Sequence, residues 1–188
     1  MNDILDVASV HGRFQPLHLG HLEYLLAGAR RCRTLVVGIT NPDPWQVRAE
    51  PAAPHRGDGS ANPFTYYERM LMVDGALRDA GVPGTAFRIV PFPHGFPERL
   101  HHYLPDDAHI LLTIYDAWGE EKERRFRELG RATDVLWRRD TTVTSGTELR
   151  RLLRAGQPWE HLVPAATARV IHGLPAGHPA HHTGSPLG

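Results

Sequence analysis

Five short apolar runs recur along the chain: "VASVH" (7–11), "TLVVGIT" (34–40), "AFRIVPF" (86–92), "HILLTIY" (109–115) and "DVLWRR" (134–139). Each is rich in Val, Ile, Leu or aromatic residues and lacks regular polar alternation, which is the pattern of strands buried on both faces of a parallel sheet. Between and after them lie stretches with helical periodicity, at 19–31, 65–80, 97–103, 120–130, 146–154 and 164–172. Strands separated by helices do not pair as hairpins; they pair in parallel through crossovers. The expected fold is therefore α/β: a doubly wound, Rossmann-like sheet of five parallel strands in the order 3-2-1-4-5. Such sheets bind ligands beyond the carboxyl ends of their strands where the order reverses, here between strands one and four.

The remaining features bound the partners. With 188 residues, the chain is expected to form one domain over 1–172. Its composition, 41% hydrophobic and 22% charged, is that of an ordinary soluble chain. No apolar run approaches the roughly 18 residues of a membrane span, so no membrane partner is expected. "MNDILDVASV" has no basic leader and reads as the approach to a first strand, and the lone Cys32 cannot form an intramolecular disulfide. Both point to the cytoplasm. The formal charge is zero, 21 basic against 21 acidic residues, which leaves no electrostatic footprint for nucleic acid. Lys122 is the one lysine among those basic residues, so a given arginine says little unless a motif places it. The proline-rich stretch 41–63 has no apolar period, and its 44–61 portion is expected to be a mobile lid. The low-complexity tail 173–188 is expected to be disordered.

Directly after the first strand comes "GRFQPLHLGH", Gly12 to His21. Two histidines three apart could share a zinc ion, but no carboxylate or thiolate lies nearby to complete a tetrahedral set, and no metal site is assigned to them. Phosphate handling suits the stretch better. Gly12 and Gly20 let the backbone approach an anion, the helix start offers free N–H groups, and His18, His21 and Arg13 supply donors. Two segments, "TYYE" (65–68) and "SGTE" (145–148), match the capping-box pattern. The second sits within "TSGTELRR", where Ser145, Gly146 and Thr147 open a helix with Arg150 one turn in, a second ready anion site.

These segments carry a resemblance. "GRFQPLHLGHLEYL" resembles the HxGH signature of the nucleotidylyltransferase superfamily, in the form found in archaeal-type nicotinamide mononucleotide (NMN) adenylyltransferases, and "TSGTELRR" resembles their second signature. "NPFTYYERMLM" (62–72) and "WEHLVPAATARVI" (159–171) are similar to two further family segments, so the resemblance runs in order from about 7 to 172. It implies an enzyme in which a phosphate-type oxygen attacks the α-phosphorus of a nucleoside triphosphate, CTP or ATP, and pyrophosphate leaves. It further implies that Phe14 and Gln15 belong to the nucleotide site, that His18 and His21 donate to the triphosphate and that Arg13 and Arg150 neutralise it. Ser145, Gly146 and Thr147 would hold the distal phosphates, Mg²⁺ would ride on substrate oxygens, and the protein would be a homo-oligomer.

Departures from the NMN pattern remove one phosphate clamp and rebuild the acceptor side. Ala61 and Asn62 stand where that family has an arginine and an acid. Thr40 and Asn41 replace its Gly-Ser, and "DAWG" (116–119), with Asp116 and Trp118, replaces its Ser-Gly-Asn-Pro. In "PHGFPERLHHYLP" (93–105) the tryptophan that stacks on nicotinamide is missing, with Phe96 and Tyr103 as available substitutes. A rebuilt acceptor wall without an aromatic platform is similar to what cytidylyltransferases of phosphonate natural-product (antibiotic) pathways need, since they attach CMP to small phosphonates such as phosphonoformate. CMP transfer to a small phosphonate or phosphate is therefore the favoured expectation. The alternatives are ATP-dependent NMN adenylylation and a nucleotide-sensing regulator without turnover; the second is disfavoured because both phosphate motifs are intact.

Overall fold

In the computed structural model, which describes residues 4–43, 61–141 and 144–181, all five apolar runs are strands. They are β1 (Leu5–Gly12), β2 (Cys32–Thr40), β3 (Phe87–Phe92), β4 (His109–Ile114) and β5 (Thr133–Arg138). Helices α1 (Leu19–Ala29) and α2 (Tyr66–Asp79) fill the first two crossovers, α3 (Ala117–Glu128) the fourth, and α4 (Gly146–Arg154) and α5 (Ala165–His172) follow β5. Every pairing is parallel and the order is β3-β2-β1-β4-β5, as expected.

Two boundaries differ from the sequence expectation for local reasons. The periodic stretch at 97–103 is a 3-10 helix, Pro97–His102, with proline at its first position. The next helix starts three residues earlier than expected, since Asp116 caps it by accepting the Gly119 N–H at 2.9 Å.

The sheet is covered on both faces. Ala8 and Val10 of β1 join Leu35, Val37 and Ile39 of β2 in the larger core, against apolar residues of α1, α2, α4 and α5. On the opposite face Val36, Phe92, Ile110 and Leu112 pack with Leu100 and Phe126. Alternate residues of β1 therefore serve different cores, which is why the run lacks polar alternation. Chains leave β1 toward one face and return to β4 from the other, so their carboxyl ends diverge and open a cleft. A register shift between Leu112 and Thr113 of β4 skips Leu136 of β5, and the pairing resumes at Thr113 and Trp137.

The 44–60 part of the expected lid and residues 182–188 of the tail lie outside the described residues. Residues 173–181, read from composition as part of that tail, pack on the domain: Ala180 joins the larger core, and the buried His178 lies 3.2 Å from Glu68. No helix among the described residues is long and apolar enough to cross a membrane.

Candidate active site

The loop from β1 to α1 is shaped by crowding. Phe14 takes a left-handed backbone (φ 51°) with its ring fully buried, and a Cβ on Gly12 would lie 2.8 Å from that ring. Only glycine fits there. Gln15 is buried too, and its amide clasps the backbone of Phe64, donating to the carbonyl and accepting from the N–H, both at 2.9 Å. The side chains of Phe14 and Gln15 thus build the loop, while both residues also border the cleft.

His18 is the N-cap of α1, its Nδ1 accepting the His21 N–H at 3.3 Å. That bond places the proton of the neutral His18 ring on Nε2, so the free nitrogen is a donor. The two imidazoles stack with centroids 3.6 Å apart and planes 19° apart, and Phe14 stands edge-on to His21 at 5.0 Å. The stack fixes the two imidazoles against one another at the start of α1. Burial lowers the His18 pKa to about 4. Burial, His18 and Arg13 hold His21 well below the usual range. Both are neutral near pH 7.

A pH effect on stability follows. His18 titrates near 6.5 in the unfolded chain and near 4 in the fold, so the unfolded state takes up the proton first as pH falls. Stability is fully present above about 6.5 and is lost toward 4, by roughly 3 kcal/mol from this residue. Thermal unfolding of the wild type should show a falling Tm across that window, and the slope should flatten in His18→Asn.

The second motif is brought to the first by Arg150. From α4 its buried guanidinium donates to the Gln15 carbonyl at 2.7 Å and to Thr147 Oγ1 at 3.2 Å. A Cβ on Gly146 would lie 3.2 Å from Arg150 Nη1 and 3.4 Å from the Gln15 oxygen, so glycine permits the approach. Ser145 caps α4 by accepting the Glu148 N–H, but Glu148 turns to Arg151 instead of closing the box; the box at Thr65–Glu68 is complete. Ser145 and Thr147 accept through oxygen and keep their O–H protons to donate. Arg13, His18, Gly20, His21, Ser145, Gly146, Thr147 and Arg150 all border one cavity of about 410 Å³ at the β1/β4 divergence. Its lining is rich in hydroxyl, guanidinium and imidazole donors, and the one lining carboxylate, Asp116, is engaged at an N-cap.

The acceptor residues divide. Asp116 and Trp118 border the cavity, and Trp118 stands edge-on to His94 at 5.9 Å. Thr40 and Asn41 are not among the lining residues; their carbonyls accept from Arg69 at 2.7 and 2.8 Å. Phe96 and Tyr103 do not line the cavity either; the rings beside Asp116 on this wall are Tyr115 and Trp118. Sequence reasoning passed over Arg69, which is buried and also donates to the Thr65 and Arg13 carbonyls. A signal was present: position 69 falls on the apolar stripe of Met72, Val73 and Ala76, where a charge needs a reason. His11, Thr113, Tyr115 and Lys122 of the lining were also missed.

The assembled cleft can be set beside known proteins. The chain is 63% identical over 162 residues to a phosphonoformate cytidylyltransferase of Streptomyces viridochromogenes, covering 86% of this chain and 88% of that one. It is 30% identical over 172 residues to a nicotinamide-nucleotide adenylyltransferase of Methanoculleus marisnigri, covering 87% and 90% of the two. Among solved structures, a bifunctional NMN adenylyltransferase/ADP ribose pyrophosphatase from Francisella tularensis superposes with TM-score 0.65 at 16% identity, over 90% of this chain and 49% of that one. This last likeness concerns the fold, and the chain spans about half that protein's length. The cytidylyltransferase-like family model matches residues 10–152, from the strand before the paired histidines to the helix that carries Arg150, and with a relative at 63% identity it places the chain in the cytidylyltransferase-like family.

Proposed function

We propose that the protein transfers CMP from CTP to a small phosphonate of the phosphonoformate type and releases pyrophosphate. The observation that carries this reading is the 63% identity, over most of both chains, to a phosphonoformate cytidylyltransferase, against 30% to an NMN adenylyltransferase over a similar span. In the reaction a phosphonate oxygen, already ionised near neutral pH, attacks the α-phosphorus. The new P–O bond forms as the bond to the β-phosphate oxygen breaks, and no general base is needed.

What the chain supplies is position and charge. His18 Nε2–H and the neutral His21 ring donate to phosphoryl oxygens whose charge grows in the transition state. Arg13 and Arg150 offset the triphosphate, and the hydroxyls of Ser145 and Thr147, with the N–H groups opening α4, hold the departing pyrophosphate. A cleft of N–H and O–H donors fits a Mg²⁺ carried on the substrate's own oxygens, where it would neutralise the phosphate chain. The same reading makes the protein a cytoplasmic homo-oligomer of an antibiotic-type phosphonate pathway.

A matrix of four nucleoside triphosphates against phosphonoformate, inorganic phosphate and NMN, scored by pyrophosphate release, tests the assignment. CTP with phosphonoformate should give the highest kcat/KM, and ATP with NMN a markedly lower one, because a site built around one acceptor's polar groups rejects a ligand that leaves them unpaired. A highest value for ATP with NMN would return the chain to NMN adenylylation. No release with any pair, despite tight nucleotide binding, would favour the regulator.

A further inference from the structure

His11 is the last side chain of β1 on the face that carries the smaller core, and that position calls for an apolar residue. Its ring fits as one: it stacks on Phe92 with centroids 4.3 Å apart and planes 6° apart, and meets Phe126 edge-on at 5.4 Å. Yet it is an imidazole, only 6% exposed, with neither ring nitrogen hydrogen-bonded. Ser9, two residues back on the same face, also has an unpartnered hydroxyl, but of the two only His11 borders the cleft. A polar group left without a partner at the edge of a ligand cavity is a group held for a ligand.

Across the cleft stands Lys122. It lies on α3 four residues after Trp118 and three after Gly119, so all three share the helix face that borders the cavity. In a chain where every other basic side chain is arginine, this one is not. An ammonium is a compact point charge, whereas a guanidinium needs a planar partner and more room. Burial, with Lys122 and His94 nearby as smaller contributions, holds the His11 pKa well below the usual range and keeps the imidazole neutral with one N–H to give.

We propose that His11 and Lys122 form a carboxylate-reading subsite on the acceptor side of the cleft, taking the second anionic group of the acceptor while its phosphonate meets the α-phosphorus beside His18 and His21. The inference rests on the phosphonate reading above and names what selects within it. An acceptor with a carboxylate next to its phosphonate is chosen by Lys122 charge and His11 N–H; a plain phosphonate leaves the His11 N–H unanswered.

Two variants test it, with CTP as donor and phosphonoformate against methylphosphonate as acceptors. In Lys122→Met the preference for phosphonoformate, as a ratio of kcat/KM values, should fall roughly 10- to 100-fold while KM for CTP stays unchanged. His11→Phe keeps the ring in its stack and removes both nitrogens. It should raise KM for phosphonoformate and also raise Tm of the ligand-free protein, because an unpartnered polar group leaves the interior. A purely structural histidine would not give that opposed pair of effects. Equal losses on both acceptors, or a loss expressed in KM for CTP, would overturn the subsite while leaving the cytidylyltransferase reading in place. A wild type that releases no pyrophosphate from CTP and phosphonoformate would overturn both.

Discussion

Replacing His21 by alanine is expected to lower kcat by roughly 10² to 10³ with little change in KM, the usual cost of removing one preorganised donor from a developing charge. The ring is neutral, stacked on His18 and braced by Phe14, so its orientation is set before substrate arrives. A contact that strengthens only as charge moves onto phosphoryl oxygens appears in kcat and kcat/KM together. Steady-state kinetics on His21→Ala and His21→Asn, the latter restoring an N–H donor, separate this from loss of binding. A rise confined to KM would assign His21 to ground-state binding. Stoichiometric zinc in the purified protein, with activity lost to a zinc chelator in excess magnesium, would overturn the donor role.

Arg69→Met is expected to produce the largest loss of stability, roughly 3 to 5 kcal/mol, or a fall in Tm of about 10 °C. The guanidinium is 2% exposed and holds the carbonyls of Thr65, Arg13, Thr40 and Asn41 at 2.7–3.1 Å. Methionine fills the volume but leaves those oxygens dry. Asn41, at φ 49°, is held in a left-handed turn at the end of β2 by one of these bonds, and the Arg13 carbonyl sits in the β1–α1 loop that borders the cleft, so turnover should fall together with stability. Arg69→Lys retains the charge and loses the fork, and should lie between the two. Differential scanning calorimetry alongside kcat/KM gives both readouts; a Tm within 2 °C of wild type would show that water replaces the guanidinium.

The strands were legible because a sheet buried on both faces demands uninterrupted apolar runs, and only such runs occur at those five places. The helix starts were legible at Thr65 and Ser145, where the caps are chemically marked; Asp116 is equally a cap, but "YDAW" hides it between aromatics. Of the residues lining the cleft, those with backbone consequences could be read: the glycines, the capping hydroxyls, the histidine at a helix entrance. What escaped was long range. Arg69 reaches back 56 residues to Arg13, and nothing local to "YYERML" names that partner. His11 reads as the end of a strand, and its polar cost emerges only when Phe92 and Phe126, distant in the chain, close around it. Thr40 and Asn41 were read as acceptor contacts because of where the family pattern puts them, whereas their backbone, not their side chains, is what the fold engages.

Arg150 and Gln15 are 135 residues apart, and their hydrogen bond joins the two motifs that border the cleft. During synthesis, then, the N-terminal loop with its paired histidines leaves the ribosome long before the guanidinium that completes it. Nascent chains short of α4 lack that guanidinium, so any stabilisation by nucleotide that depends on both motifs is expected only after α4 has emerged. The same distance makes the enzyme a natural candidate for splitting: fragments cut between β5 and α4 should each be silent, and should regain turnover only on reassociation.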